Sequence, residues 1–164
     1  MLIELLEKKT GKKLLAKISK AVKNELPTKK DGWNFDWRGL YKVEGAEFYK
    51  ISLNKSPELV EGVLMLTIYN GEMLFMNNIE AAPHNIGNNK KYENIAGCLL
   101  AFACRESFER GKEGYHGFLS FDSKTALIEL YQKKYGASLA LGNKMFFDPG
   151  AGKRLMKKYL NITI

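Results

Sequence analysis

Very little in this 164-residue sequence is suited to holding a metal ion or a disulfide: it has two cysteines, two histidines and no Cys-x-x-Cys pair. Cys98 and Cys104 are six residues apart in a segment that reads as one helix, so their side chains face different ways and cannot bridge. Reduced thiols fit a cytoplasmic chain. His84 and His116 are far apart in sequence, and a closed zinc site would have to be completed by carboxylates, so no metal is expected. No apolar run approaches the ~18 residues of a membrane span, and the opening MLIELLEKK carries Glu4 and Glu7 where a signal peptide has basic residues and then an apolar stretch. Internal repeats and low-complexity segments are also missing. What remains is 45% hydrophobic and 12% aromatic, enough for a real core and too much for disorder. The length fits a single domain over 1–164.

The net charge of +8 is concentrated at one end. Residues 1–30 hold nine lysines against three glutamates, a net +6, which leaves +2 for all the others. From Lys12 to Leu26 the apolar residues Leu14, Leu15, Ile18, Val22 and Leu26 recur at three- and four-residue steps, with Lys13, Lys17 and Lys20 opposite them. That spacing predicts an amphipathic helix with a lysine face, and Gly11 separates it from a shorter helix over Leu2 to Lys9. Residues 1–30 are thus expected to be a basic helical part of the domain. Its lysines are either a solvated surface face or a footprint for tRNA or another polyanion. Lys153, Arg154, Lys157 and Lys158 form a second basic cluster.

Further along, Trp33, Phe35 and Trp37 alternate with polar residues at strand-like spacing, as core packing or as the wall of a substrate groove. GVLMLTIY and EMLFMNNIE are β-rich runs joined at Asn70-Gly71, a dipeptide that tolerates the positive φ angles of a type I′ turn, so an antiparallel hairpin is predicted. Glu47 to Leu53 is expected to precede it as another strand. A helix follows over Glu93 to Arg110, then a strand (Gly117 to Phe121), a helix (Lys124 to Tyr135, stopped at Gly136), a strand (Lys144 to Phe147) ended by an Asp148-Pro149-Gly150 turn, and a last helix over Gly152 to Tyr159. The order describes an α/β fold: one mixed, mostly antiparallel central sheet flanked by helices, after an N-terminal helical segment.

The segments IEAAP (79–83), KYENIAGCLL (91–100), LSFDSKTALIELYQKKYGA (119–137) and NKMFF (143–147) resemble, in order, spacing and element type, the GCN5-related N-acetyltransferases over about residues 40 to 148. The N-terminal helices would then stand for that fold's first helices. In that family an Arg/Gln-x-x-Gly-x-Gly/Ala loop opens a long helix and holds the coenzyme A pyrophosphate on backbone amides. Here Lys91 stands at the first position, Asn94 at the first glycine and Ala96 at the last small residue, with Tyr92, Glu93 and Ile95 between them, and Lys90 adds positive charge. The glycine is replaced, but Asn accepts left-handed geometry better than most residues. The loop 85–90 is extra.

The resemblance implies acetyl-coenzyme A as co-substrate and direct transfer of its acetyl group to an acceptor amine. Ala126, Tyr131 and Gly136-Ala137 match the family's pattern on the following helix, which makes Tyr131 the donor of a proton to the departing thiolate. The same tyrosine also reads as core. Ser123 stands where relatives often have Asn at the cofactor. Ile79 and Ala81 would turn strand amides to the thioester, where an N–H stabilises the oxyanion. Glu80 is the nearest carboxylate and the candidate base, or else a solvent-facing strand residue; Glu72 and His84 stand behind it. The acceptor is a small amine, a protein amine or an aminoacyl-tRNA, the last resembling the acetyltransferase toxins of bacterial toxin–antitoxin pairs. The contrasting reading is a non-catalytic module of the same fold that binds nucleic acid or a protein through its basic face. Oligomeric state is left open.

Overall fold

The computed structural model describes all residues 1–164. Nine strands form one sheet: β1 (Leu2–Glu7), β2 (Lys13–Lys20), β3 (Glu47–Leu53), β4 (Gly62–Tyr69), β5 (Met73–Ala81), β6 (Tyr92–Glu93), β7 (Leu119–Asp122), β8 (Ser138–Leu139) and β9 (Lys144–Phe147). Neighbours run in the order β6-β1-β2-β3-β4-β5-β7-β9-β8. The helices are α1 (Trp37–Leu40), α2 (Ile95–Arg110), α3 (Ile128–Tyr135) and α4 (Pro149–Leu155). None is long and apolar enough to cross a membrane.

The N-terminal helices predicted from the sequence are strands. β1 and β2 pair antiparallel from Leu2↔Lys17 to Leu6↔Lys13, and β2 pairs with β3 from Ala16↔Leu53 to Lys20↔Tyr49. Gly11, at φ +71°, sits in the connecting turn, where Glu7 donates its amide to the carbonyl of Lys12. The residues of β2 satisfy both periods. Ala16 and Ile18 are buried, whereas Leu15 of the expected helical stripe is exposed, as is Val22 just beyond the strand. Pairing on both edges settles the choice, because each residue then gains a ladder and a buried alternate face that an isolated eight-residue helix lacks. The three lysines share no helical face; Lys13 and Lys17 lie on one face of β2, and Lys20 pairs with Glu47 at 3.0 Å.

Between β2 and β3 the chain makes one-turn 3-10 helices at Lys23–Glu25 and Lys29–Asp31 and then α1, where a strand-like run was expected. Asp36 explains the difference: its carboxylate accepts the Gly39 amide at 3.1 Å and caps α1. The predicted hairpin is present as β4 and β5. Asn70 (φ +51°) and Gly71 (φ +70°) are both left-handed, and Glu72 donates to the carbonyl of Tyr69, which completes the I′ turn. Asp148-Pro149-Gly150 does not end the fold's last strand as a plain turn. Asp148 caps α4 by accepting the Ala151 amide at 2.7 Å, with Pro149 in the first helical position, and the helix closes in a π turn over Met156–Leu160.

By contacts the chain divides into two compact units, 1–65 with 78–99 and 66–77 with 100–164. In the first, Leu26, Trp33, Trp37, Phe48, Val63 and Met65 form a core cluster under the 21–46 segment. Gly62 brings the first turns of α2 close to β4; a Cβ there would stand 2.5 Å from Ile95 Cγ2 and 3.1 Å from Leu99 Cδ1. In the second unit β7 pairs parallel with β5 and antiparallel with β9. Phe121 stacks on Phe147 with centroids 5.4 Å apart and meets the Tyr131 ring of α3 at 4.8 Å.

Candidate functional site

The parallel pairing of β5 with β7 covers only Leu74↔Leu119, Phe75↔Ser120 and Met76↔Phe121. Beyond Met76, β5 runs on through Ala81, so Ile79, Glu80 and Ala81 lie on a stretch with no β7 partner. Ile79 and Ala81 are half-buried, and Glu80 between them is buried.

Glu80 is not solvent-facing. Its carboxylate accepts the Asn34 amide at 2.6 Å, the Phe35 amide at 3.1 Å and the Trp37 indole N–H at 2.9 Å. Three donors from one loop occupy most of the roughly four acceptor sites of a carboxylate. The geometry gives Glu80 a positioning role: it ties the aromatic segment 33–37 to β5. Phe35 and Trp37 are accordingly core-packing rings, set edge to face at 5.8 Å, whereas Trp33 also lines a cavity of about 870 Å³ in the first unit. Lys17, Lys50, Glu25, Arg38 and His84 share that cavity. Lys50, itself buried, bonds Glu25 at 2.8 Å and holds that carboxyl below its usual range, with the Val22 amide assisting.

After β5 the chain is pinned by a buried carboxylate that sequence reasoning missed. Glu61 Oε1 lies 2.6 Å from His84 Nε2 and accepts the Asn85 side-chain amide at 3.1 Å; Asn85 Oδ1 in turn accepts the Tyr92 amide at 3.0 Å. Lys91 donates its amide to the His84 carbonyl, and its own carbonyl accepts the Lys8 amide at 3.0 Å. The residue order alone carries no sign of this long-range network. His84, oriented by Glu61, is thus a loop-holding residue in this geometry, and the extra residues 85–90 form a braced loop. The amides of Lys91 and Tyr92 are consequently committed, and Tyr92 and Glu93 are paired to Glu7 and Leu6 as β6.

First-turn amides without an intrahelical acceptor follow at the start of α2. Asn94 has φ +68°, the left-handed conformation for which a glycine is normally chosen, and its carbonyl accepts the Cys98 amide as the first helical bond. The amides of Ile95, Ala96 and Gly97 then belong to the first helical turn, which has no intrahelical acceptors, at the positive end of a 16-residue helix dipole. The β1–β2 turn, which carries Lys8, Lys9 and Lys12, is bonded through the Lys8 amide to Lys91, and the Lys91 ammonium lies over the Tyr92 ring at 5.5 Å. The Lys8 ammonium also bonds the carbonyl of Asn88. Asn94→Val is expected to cost about 1–2 kcal/mol, since a β-branched residue resists left-handed φ, whereas Asn94→Gly should stay within about 0.5 kcal/mol of the parent. Urea midpoints of the two variants check this.

Tyr131 lies in α3, half-buried, its ring between Phe121 and Tyr135, and burial raises its phenol above the ordinary value of 10.0. It is therefore a protonated phenol throughout the neutral range. Ser123 is buried; its hydroxyl donates to the Lys124 carbonyl at 2.8 Å and its amide to that of Asn143 at 2.9 Å. Cys98 and Cys104 are free and buried, and desolvation pushes the Cys98 thiol up to about 12 and Cys104 higher still. Neither is a thiolate near neutral pH, which suits packing and not covalent catalysis.

No family model matches the sequence, and no curated protein does. Solved structures do match. A mutant of the AtaT toxin bound to the C-terminus of the antitoxin AtaR aligns with TM-score 0.62 at 12% identity, over 85% of this chain and 97% of that one. A GNAT family acetyltransferase from Elizabethkingia anophelis with acetyl-CoA bound gives 0.53 at 18%, over 76% and 77%. The Campylobacter jejuni N-acetyltransferase PseH in complex with acetyl coenzyme A gives 0.51 at 13%, over 80% and 99%. At these identities the likeness is one of fold, and the fold of this chain is that of the GCN5-related N-acetyltransferases.

Proposed function

We propose that the chain is an acetyl-coenzyme A dependent N-acetyltransferase that moves the acetyl group directly onto an acceptor amine. The entry into α2 carries this reading: left-handed Asn94 followed by the first-turn amides of Ile95, Ala96 and Gly97, with Lys90 and Lys91 just before them in the chain, suits an anion such as a pyrophosphate. Two of the solved structures with the same fold hold acetyl-CoA. The phosphates of the cofactor would sit on those amides, with Lys91 and its neighbours supplying charge, and the thioester arm would run along the β5 stretch that has no β7 partner.

Backbone amides around Ile79 and Ala81 would polarise the thioester carbonyl and stabilise the oxyanion formed on amine attack. Tyr131 would give its proton to the sulfur as the C–S bond breaks. Because Glu80 is engaged by three donors, the proton lost by the amine is assigned to water, and Glu80 to holding the 33–37 loop. Buried, un-ionised thiols at Cys98 and Cys104 favour direct transfer over an acyl-enzyme. The lysine excess of residues 1–30 also suits a polyanionic carrier of the amine, as an aminoacyl-tRNA would be, and a toxin–antitoxin complex among the fold's neighbours supports a protein partner.

The test is incubation with acetyl-CoA and a panel of amines, reading free coenzyme A thiol and acetylated product together. The reading expects both to rise in step with enzyme concentration. A chain that binds acetyl-CoA yet releases thiol with none of the amines, an aminoacyl-tRNA included, would be the non-catalytic module instead.

A further inference from the structure

An outer sheet face is ordinarily polar, because only the inner one meets the core. In the second unit it is not. Leu74, Met76, Leu119, Phe121, Met145 and Phe147 are buried on one face, while the residues that alternate with them, Met73, Phe75, Phe118, Ser120 and Phe146, are half-buried and still apolar but for the serine. The register explains their shape. Phe75, Ser120 and Phe146 lie on one rung across β5, β7 and β9, so a small residue stands between two phenylalanines. The result is a slot of about 320 Å³, with Phe118 and Phe146 at 6.2 Å between centroids and Tyr115 at its side. The Ser120 hydroxyl is turned to Met73 Sδ at 3.2 Å, which leaves the floor apolar.

One end of the slot is charged. Asp122 and Lys144 are the next rung on the same face, 3.7 Å apart, and both exposed to solvent. This rung directly follows Met76↔Phe121, the last pair that joins β7 to β5. A carboxylate and an ammonium side by side at the mouth of an aromatic slot complement a dipolar head group on an apolar body: an amine at Asp122, a carbonyl or carboxyl oxygen at Lys144, and a hydrophobic side chain between Phe75 and Phe146. The volume is at the low end of the ~300–1,000 Å³ of small-molecule sites, so it takes one amino-acid side chain and not a nucleotide.

We infer that the slot over Ser120 selects the acceptor, and that the acceptor is the α-amine of an amino-acid unit with a bulky apolar side chain. The inference rests on the acetyltransferase reading above. In the step it serves, the amine nitrogen forms the amide bond to the acetyl carbon as the C–S bond breaks. The ammonium gives up two protons in all, one reaching the coenzyme A sulfur by way of Tyr131 and the other going to solvent.

Phenylalaninamide, leucinamide, glycinamide and lysinamide serve as probes. The slot predicts kcat/KM for the first two about 10–100-fold above the last two, the range that burial of one apolar side chain supplies. Ser120→Trp fills the slot and should erase most of that preference while acetyl-CoA titrates as before; Phe146→Ala, which widens it, should weaken selection for leucinamide more than for phenylalaninamide. Equal rates on glycinamide and phenylalaninamide, faster reaction of lysinamide, or an undiminished preference in a folded Ser120→Trp protein would overturn the assignment. Direct calorimetry of phenylalaninamide without cofactor separates this inference from the one beneath it. If acetyl-CoA fails to bind but phenylalaninamide binds the parent and not Ser120→Trp, the slot stands and the acetyltransferase reading falls. If acetyl-CoA binds and phenylalaninamide, at concentrations up to its solubility, neither binds nor reacts, the slot is wrong and the enzyme reading survives.

Discussion

Tyr131→Phe is expected to lower kcat by roughly 10²-fold or more and to leave the affinity for acetyl-CoA within about twofold. The phenol is half-buried against Phe121, and only one oxygen is removed, so the ring contacts that hold α3 to β7 survive. A loss confined to kcat marks an interaction made as the sulfur leaves. Burial raises the pKa of the phenol, so its acid form outlasts that of a free tyrosine. The alkaline fall in kcat should consequently have its midpoint above that of a free tyrosine, and the variant should lack that limb. A variant with unchanged kcat would return Tyr131 to the core-packing role that its spacing from Tyr135 equally suggests. Pre-steady-state measurement of thiol release is the check, because slow product release can mask a chemical step.

Glu80→Ala is expected to be the most damaging single change to stability, about 3–5 kcal/mol by denaturant unfolding. It would strand the Trp37 indole N–H in the core and leave two backbone amides, those of Asn34 and Phe35, without their acceptor. Glu80→Gln should recover part of the loss, since its carbonyl oxygen can accept two of the three bonds. That conservative variant also distinguishes the two roles. A positioning residue loses activity in proportion to the looseness of the 33–37 loop and mainly through KM. A general base would lose kcat in a protein of near-parental stability.

The later half of the fold was legible because its signals are local. Asn70-Gly71 needs only the two residues to make an I′ turn, and both are left-handed as their chemistry demands. The stretch from Ile95 to Arg110 is too long and too apolar for anything but a helix. The first twenty residues misled because Leu14, Leu15 and Ile18 fit a 3.6-residue stripe as well as Ala16 and Ile18 fit a two-residue one. The edges of β1 and β3 decided between them, and no window of sequence contains those edges. The same limit applies to Glu80 and Glu61. Each is a carboxylate whose partners lie between 23 and 46 residues away, so sequence reasoning could name Glu80 a candidate but could not see it engaged. For the slot the sequence holds one signal: MLFM is apolar throughout and FLSF and KMFF at three of four positions, which a half-exposed strand seldom is unless its outer face has an occupant.

The most direct test is a calorimetric titration of the purified protein with acetyl-CoA and with coenzyme A at two salt concentrations. Saturable one-to-one binding, weaker at the higher salt and weaker in Lys91→Ala, is the predicted result, because phosphates held on the amides of Ile95 to Gly97, with Lys90 and Lys91 just before them in the chain, must feel both changes. Absence of binding at millimolar cofactor, with the protein folded, would contradict the acetyltransferase account at its root.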